Sequence, residues 1–245
     1  MLRIFEEVGR ATLLTLWAVY FLFRNPPKLR HFVKQFAYLG AETTPVVVIT
    51  SLFSGGVIAL QTYSTFHKFN AEFLIGAVVA LSMGRELAPV LTALMVVARV
   101  GSAMTAQIGT MRITEQIDAL EVMGIDPRAY LITPRILAGT LGVPMLAILS
   151  NIAGIFGGWF VAVKLFGVNE YLFWEKMKDL TEFYDFLGGL YKATFFGFIL
   201  SSVSCYFGFY TKGGTEGVGR ATTNSVVVSS MLILISDYFL TAIIF

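Results

Sequence analysis

The chain has 245 residues, 56% hydrophobic and 14% charged, with a formal net charge of +2 and a mean hydropathy of +0.73. Soluble domains carry about 25% charged residues, so the composition is that of an integral membrane protein, long enough for about five helical spans of roughly 20 residues each. The small net charge, with no basic patch interleaved with aromatics, argues against nucleic acid as a partner.

Residues 12–23 are apolar but too short to span a bilayer. Arg3 and Arg10 precede them, and Arg24, Lys28, Arg30 and Lys34 follow. The stretch reads as an interfacial helix with Trp17, Tyr20, Phe21 and Phe23 at headgroup level, broken by Pro26-Pro27. A short re-entrant or tilted span is the alternative. It follows Glu6 and Glu7 and lacks a small-residue cleavage site, so it does not read as a signal peptide.

The first span is expected at residues 45–66, with 1–44 as interfacial helix and linker and 45–245 as one transmembrane bundle. A short turn, HKFNAE, leads to a second span at 73–100, kinked at Pro89. Residues 111–128, MRITEQIDALEVMGIDPR, form a charged island between two nearly charge-free tracts. Glu115, Asp118 and Glu121 recur at every third position, as do Ile117, Leu120 and Met123, which predicts an amphipathic helix. Gly124 stops it and Pro127 prevents its resumption. Such a helix, hung between two spans, is shaped to seat in a groove on a soluble partner.

The third span, 136–163, carries Gly154 and Gly158 in a GxxxG spacing that allows close helix approach. Residues 167–188 are polar, acidic and aromatic. A fourth span follows at 191–210. The glycine-rich KGGTEGVGR lacks the GK[ST] ending of a phosphate-binding loop and reads as a flexible linker to a last span at 226–245. The basic residues of the N-terminal segment, of the island with Arg135, and of the loop with Lys212 and Arg220 alternate so as to lie on one side. By the positive-inside rule that side is the cytoplasm, which leaves the acidic segment and the C-terminus outside.

Arg85 and Glu86 lie about twelve residues into the second span, roughly 18 Å deep. Each costs about 2.5–3.5 kcal/mol there if unpaired. Asp237 falls at a similar depth in the last span, so Arg85 could pair with Asp237 and leave Glu86 to a polar cavity. A structural ion pair with neighbours in the bundle is the alternative. Ile58, Gln61 and Thr65 share one helical face that mixes apolar and polar groups, as a ligand wall or a simple helix-packing face would.

Cys205 is the only cysteine and sits in an apolar run, so no disulfide framework exists. His31 and His67 show no metal-ligand spacing, and no Ser/His/Asp set or carboxylate pair is present. The chain reads as non-catalytic, without metal or cofactor of its own.

Residues 84–139, beginning GRELAPVLTALMVVARVGSAMTAQIGTMRITEQIDALEVMGIDPR, and GRATTNSVVVSS at 219–230 resemble the MlaE family. These are permease subunits of ABC transporters that move phospholipids with MCE-domain partners. The resemblance implies an all-α integral membrane protein of the bacterial inner membrane: an N-terminal interfacial helix, five transmembrane helices, a cytoplasmic coupling helix and a short helical periplasmic segment. It implies a homodimer enclosing a lipid cavity, a separate cytoplasmic ATPase that binds the ATP, a periplasmic MCE protein and a STAS-like subunit. Arg112, Glu115, Gln116, Asp118, Ala119, Glu121 and Gly124 would then couple to the ATPase. Ile58, Gln61, Thr65, Phe69, Arg85, Glu86 and Leu87 would meet the lipid. An ion-coupled secondary carrier using Arg85, Glu86 and Asp237 as a relay, and a structural membrane anchor, are the competing classes. No inverted repeat supports the carrier, and an anchor would not explain the intramembrane charges.

Overall fold

The computed structural model describes residues 2–24 and 29–245, and all regular structure among them is helical. The expected Pro26-Pro27 break and Lys28 lie outside the described residues, as do the side chains of Arg3 and Phe23. Among the described residues, five helical segments are long and apolar enough to cross a membrane, as the composition predicts.

Helix α1, Leu2–Arg24, buries Leu14 and Ala18 and leaves Leu13, Leu16, Trp17 and Tyr20 exposed. It therefore presents one face to the bundle and one to its surroundings. Helix α2 runs without interruption from Leu29 to Phe66, so residues 29–44 are not a linker but the first turns of the first span. Pro45 sits inside it, and the Thr44 hydroxyl bonds the Gly40 carbonyl at 2.7 Å, in the turn that Pro45 weakens. At about 1.5 Å per residue such a helix is far longer than the hydrocarbon core, so its N-terminal turns reach the headgroup zone.

The second span is also longer than expected, running from Glu72 to Ile113. It comprises α3 (Ile75–Ser82), a π turn (Met83–Leu87), α4 (Ala88–Val96), a second π turn (Val97–Gly101) and α5 (Ser102–Ile113). The first π turn directly precedes Pro89, whose missing N–H would otherwise bond the carbonyl of residue 85. Helix α6, Gln116–Val122, is separated from α5 by Glu115, which sits in the left-handed region at φ 59°. The amphipathic helix expected over 111–128 is thus a seven-residue helix set off at a sharp angle from the membrane helix before it. Gly124, at φ 75°, ends the segment as the sequence predicts.

Helix α7, Thr133–Trp159, is entered through a π turn at Arg128–Ile132 and leaves through another at Phe160–Leu165. The acidic segment after the third span forms α8, Glu170–Leu180, capped by the Asn169 side chain, which accepts from the Tyr171 and Leu172 amides. Helix α9 starts at Phe183, eight residues earlier than expected, and ends at Phe209. Helix α10, Gly214–Ile244, takes in most of the glycine-rich stretch read as a linker. Only Gly213 (φ 90°) and Gly214 (φ 67°) make the turn; the residues after them wind into helix.

Helices α2 and α7 form the most extensive pairing in the bundle, and small residues permit it. A Cβ on Gly157 would lie 2.0 Å from the Leu52 carbonyl oxygen, so the two backbones touch. In lipid, where apolar side chains gain nothing by leaving the solvent, such close van der Waals approach is a main source of helix association. Leu39, Ala93, Val96, Leu146, Phe196, Leu200 and Ile233 fill the space among α2, α4, α7, α9 and α10. Replacing Gly157 with Leu is expected to force α2 and α7 apart and lower the thermal unfolding midpoint in detergent, at about 1–3 kcal/mol for overpacking. Gly219→Ala, inside α10 where an added Cβ meets nothing within 4 Å, should leave the midpoint unchanged or raise it slightly, since alanine is the better helix former.

Candidate functional site

Three helices bring ionisable groups together at the α8 end of the bundle. Pro89 leaves the Arg85 carbonyl without its helical N–H, and the Lys192 ammonium on α9 donates to that oxygen at 3.2 Å. The same ammonium donates to Glu86 Oε2 at 2.7 Å, to Asp237 Oδ1 at 3.2 Å and to the Thr241 hydroxyl at 2.6 Å. Thr241 in turn contacts both Glu86 oxygens, at 3.1 and 3.3 Å. Lys192 is fully buried, whereas the side chains of Glu86 and Asp237 keep 35% and 21% of their exposure. The ammonium is therefore a buried hub, and its two carboxylates lead outward.

Arg85 does not pair with Asp237 as expected. Its Nε and Nη2 both reach Asp185 Oδ1, at 2.9 and 2.7 Å. The other oxygen of Asp185 accepts from the Glu182 amide at 2.8 Å, closing a capping box at the start of α9. The Phe245 ring lies 4.7 Å from the Arg85 guanidinium carbon and 5.5 Å from the Lys192 nitrogen, in cation–π range of both. The mismatch with Asp237 has a geometric cause. Asp237 does lie at the depth of residues 85 and 86, since the Arg85 carbonyl and Glu86 share the Lys192 ammonium with it, but the Arg85 side chain leaves its helix on another face, towards Asp185 in the first turn of α9. Gly189 sets the approach of α9, because a Cβ there would lie 2.0 Å from the Gly84 carbonyl oxygen.

Hydropathy alone starts the fourth span at 191, where Lys192 reads as a flanking charge and Asp185 as part of the polar segment, so neither stands out as a site residue. The signal that finds them is the Glu182-x-x-Asp185 capping pattern, which moves the helix start upstream.

Of the other expected lipid contacts, Leu87 shares the π turn with Arg85 and Glu86. Ile58 and Leu87 both pack against the apolar cluster that includes Ile75, Val79, Met83 and Phe173. Gln61, Thr65 and Phe69 lie on exposed turns at the end of α2 and beyond it, Phe69 at 75% exposure.

The residues expected to engage an ATPase cluster at the opposite end. Glu115, Gln116, Asp118, Ala119, Glu121 and Gly124 are exposed, and Arg112 is half-buried and bonded to Asp118 at 2.6 Å. This bridge ties α6 back to α5 across the left-handed Glu115. Ile117 is fully buried, in a cluster with Ile108, Leu131, Ile132 and Phe209, and anchors α6 to the bundle. Met123, placed by periodicity on the apolar face, is 64% exposed instead, because α6 ends at Val122.

Replacing Lys192 with Met strands Glu86 and Asp237 and is expected to cost about 3–5 kcal/mol, as removal of one partner from a buried ion pair does. The measurement is the thermal unfolding midpoint in detergent. Adding Glu86→Gln should recover part of the loss, since one stranded carboxylate becomes neutral. A Lys192→Met chain as stable as the parent would show that the network does not hold the bundle.

The sequence matches the family described as Permease MlaE over residues 32–243. It is 42% identical over 244 residues to a probable ABC transporter permease protein of Rickettsia bellii, covering 100% of this chain and 94% of the relative. It is 40% identical over 245 residues to the intermembrane phospholipid transport system permease protein MlaE of Haemophilus influenzae, covering 98% and 93% of the two chains. It is 35% identical over 216 residues to the chloroplastic protein trigalactosyldiacylglycerol 1 of Arabidopsis thaliana, covering 88% and 62%. With long apolar helices spaced for membrane crossing and a family match over most of its length, the chain belongs to the MlaE family of ABC transporter permeases.

Proposed function

We propose that the chain is the membrane subunit through which a separate cytoplasmic ATPase drives phospholipids between the inner membrane and a periplasmic MCE-domain protein. This traffic would help maintain outer-membrane lipid asymmetry. The observation that carries the reading is α6. It hangs at the turn between two spans, buries Ile117 completely, and exposes Val122 at 89% and Met123 at 64%. An exposed apolar tip rimmed by Asp118 and Glu121 has the chemistry of a helix that seats in a partner's groove. The buried Ile117 gives it a path for force into α5 and α7.

In this reading the α6 end faces the cytoplasm, the N-terminus lies on that side, and α8 and the C-terminus lie in the periplasm. The positive-inside distribution of basic residues supports the assignment. Two copies form the permease. The long α10, whose span is only 11% buried within the chain, has a face suited to a second copy. A small STAS-domain subunit would accompany the ATPase, and ATP is bound by the ATPase alone. The lipid headgroup would meet Glu86 and Arg85, which keep part of their exposure, and its tails would run along the apolar wall that includes Ile58 and Leu87, towards Gln61, Thr65 and Phe69.

The Glu86–Lys192–Asp237 group also favours a second reading, an ion-coupled carrier, because clustered carboxylates within a membrane are the usual material of proton relays. The two readings separate on one preparation. Val122→Asp with Met123→Asp is expected to lose copurification of the ATPase and ATP-driven lipid transfer in reconstituted vesicles, at an unchanged unfolding midpoint. Normal ATPase retention by that variant, or lipid uptake by the lone chain under an ion gradient, would overturn the ATP-driven reading.

A further inference from the structure

A second polar site lies at the α6 end, away from the ion network. Arg30, His31 and Lys34 on the first turns of α2 and Tyr130 and Arg135 at the start of the third span line a cavity of about 360 Å³. Its volume is within the usual range of small-molecule pockets, about 300–1,000 Å³. The described residues that line it include no carboxylate.

Among the described residues, no carboxylate pairs with the charges in this cavity. Arg30 and Lys34 are one turn apart on the same helix face, a spacing at which like charges repel. Arg135 is only 6% exposed. Its Nη1 donates to the Leu131 carbonyl at 2.9 Å and its Nη2 reaches Gln107 Oε1 at 3.4 Å, both neutral acceptors. Its Nε is buried without a hydrogen-bond partner. A buried guanidinium satisfied only by neutral oxygens, with an orphaned N–H, is costly unless an anion completes it. The His31 and Tyr130 rings meet edge to face at 4.9 Å between centroids, which fixes one wall of the cavity.

We propose that this cavity binds a phosphate ester anion, held by Arg135 from within and by Arg30 and Lys34 at the rim. Two features identify the phosphate class. Arginine's planar fork suits a tetrahedral oxyanion, and two further cations at the rim suit its charge. The cavity sits where α2 enters the headgroup zone, so the anion is within reach of an acidic phospholipid as well as of a soluble phosphate ester. Only the assignment to the inner leaflet rests on the orientation proposed above.

The test uses the full chain without any ATPase, so its outcome is independent of whether transport is ATP-driven. The protein is reconstituted in nanodiscs of phosphatidylcholine with or without phosphatidylglycerol, each lipid also supplied as a photoactivatable analogue, and crosslinked peptides are mapped. The expected result is labelling of residues 29–35 and 128–135 by the phosphatidylglycerol probe in preference to the phosphatidylcholine probe. Arg30→Gln with Lys34→Gln, both at exposed positions, should weaken that retention about thirtyfold. Arg135→Gln, a buried change, should remove it while the unfolding midpoint reports whether the fold survives. If the lipid probe does not label the site but glycerol phosphate protects Lys34 from amine modification, the phosphate site stands and its source is soluble. Equal labelling by both lipids with no protection by glycerol phosphate, or unchanged preference in the Arg30/Lys34 variant, overturns the proposal.

Discussion

A single missing hydrogen organises the α8 end of this protein. Pro89 has no N–H to give the carbonyl of residue 85, and a lysine from another helix supplies the donor instead. Placing an ammonium in the bundle interior is unfavourable in isolation, because desolvation of a charge costs several kcal/mol. Here the freed carbonyl, two carboxylates and a hydroxyl surround it, so the cost of burial is offset at every donor. The π turn before the proline and the polar hub behind it are therefore one device: the backbone defect creates the acceptor and the buried charge occupies it. Glycines at the contact between α9 and the π turn bring the two close enough.

Much of this could be read before any coordinates. Arg85, Glu86 and Asp237 stand out because charges in apolar tracts must be accounted for, and Gly154 and Gly158 point to close packing of the third span. The partners of those charges were less visible. Hydropathy marks where a span is greasy, not where its helix begins, so α9 was thought to start at its first long apolar run and Lys192 and Asp185 fell among flanking residues. The same shortfall hid the extension of α2 below residue 45 and placed Arg135 in a loop when it is buried. Depth counted along a helix also says nothing about which face a side chain leaves from: Asp237 meets residue 86 through Lys192, while the Arg85 side chain turns to Asp185.

The two ends of the molecule solve opposite problems. At the α8 end, charge is gathered inward and neutralised. At the α6 end, an apolar tip is pushed outward and held there by one buried isoleucine and one arginine–aspartate bridge across a residue in the left-handed region. Non-glycine residues adopt that conformation at a cost of about 1–2 kcal/mol, so Glu115 is a strained joint that fixes α6 at an angle to α5. The coupling role proposed for α6 needs that stiffness, since a loose hinge would absorb displacement that a straight lever passes on.

Asp185 gives the α8 end a further property. One of its oxygens closes the cap of α9 and the other holds Arg85 of the second span, so a single carboxylate bolts a helix terminus to a neighbouring helix. Fraying of the first turn of α9 and release of the guanidinium are then one thermodynamic event instead of two. Perturbations at positions 85, 182 and 185 cannot combine as independent contributions, and whatever docks beside that terminus acts on both helices through one latch.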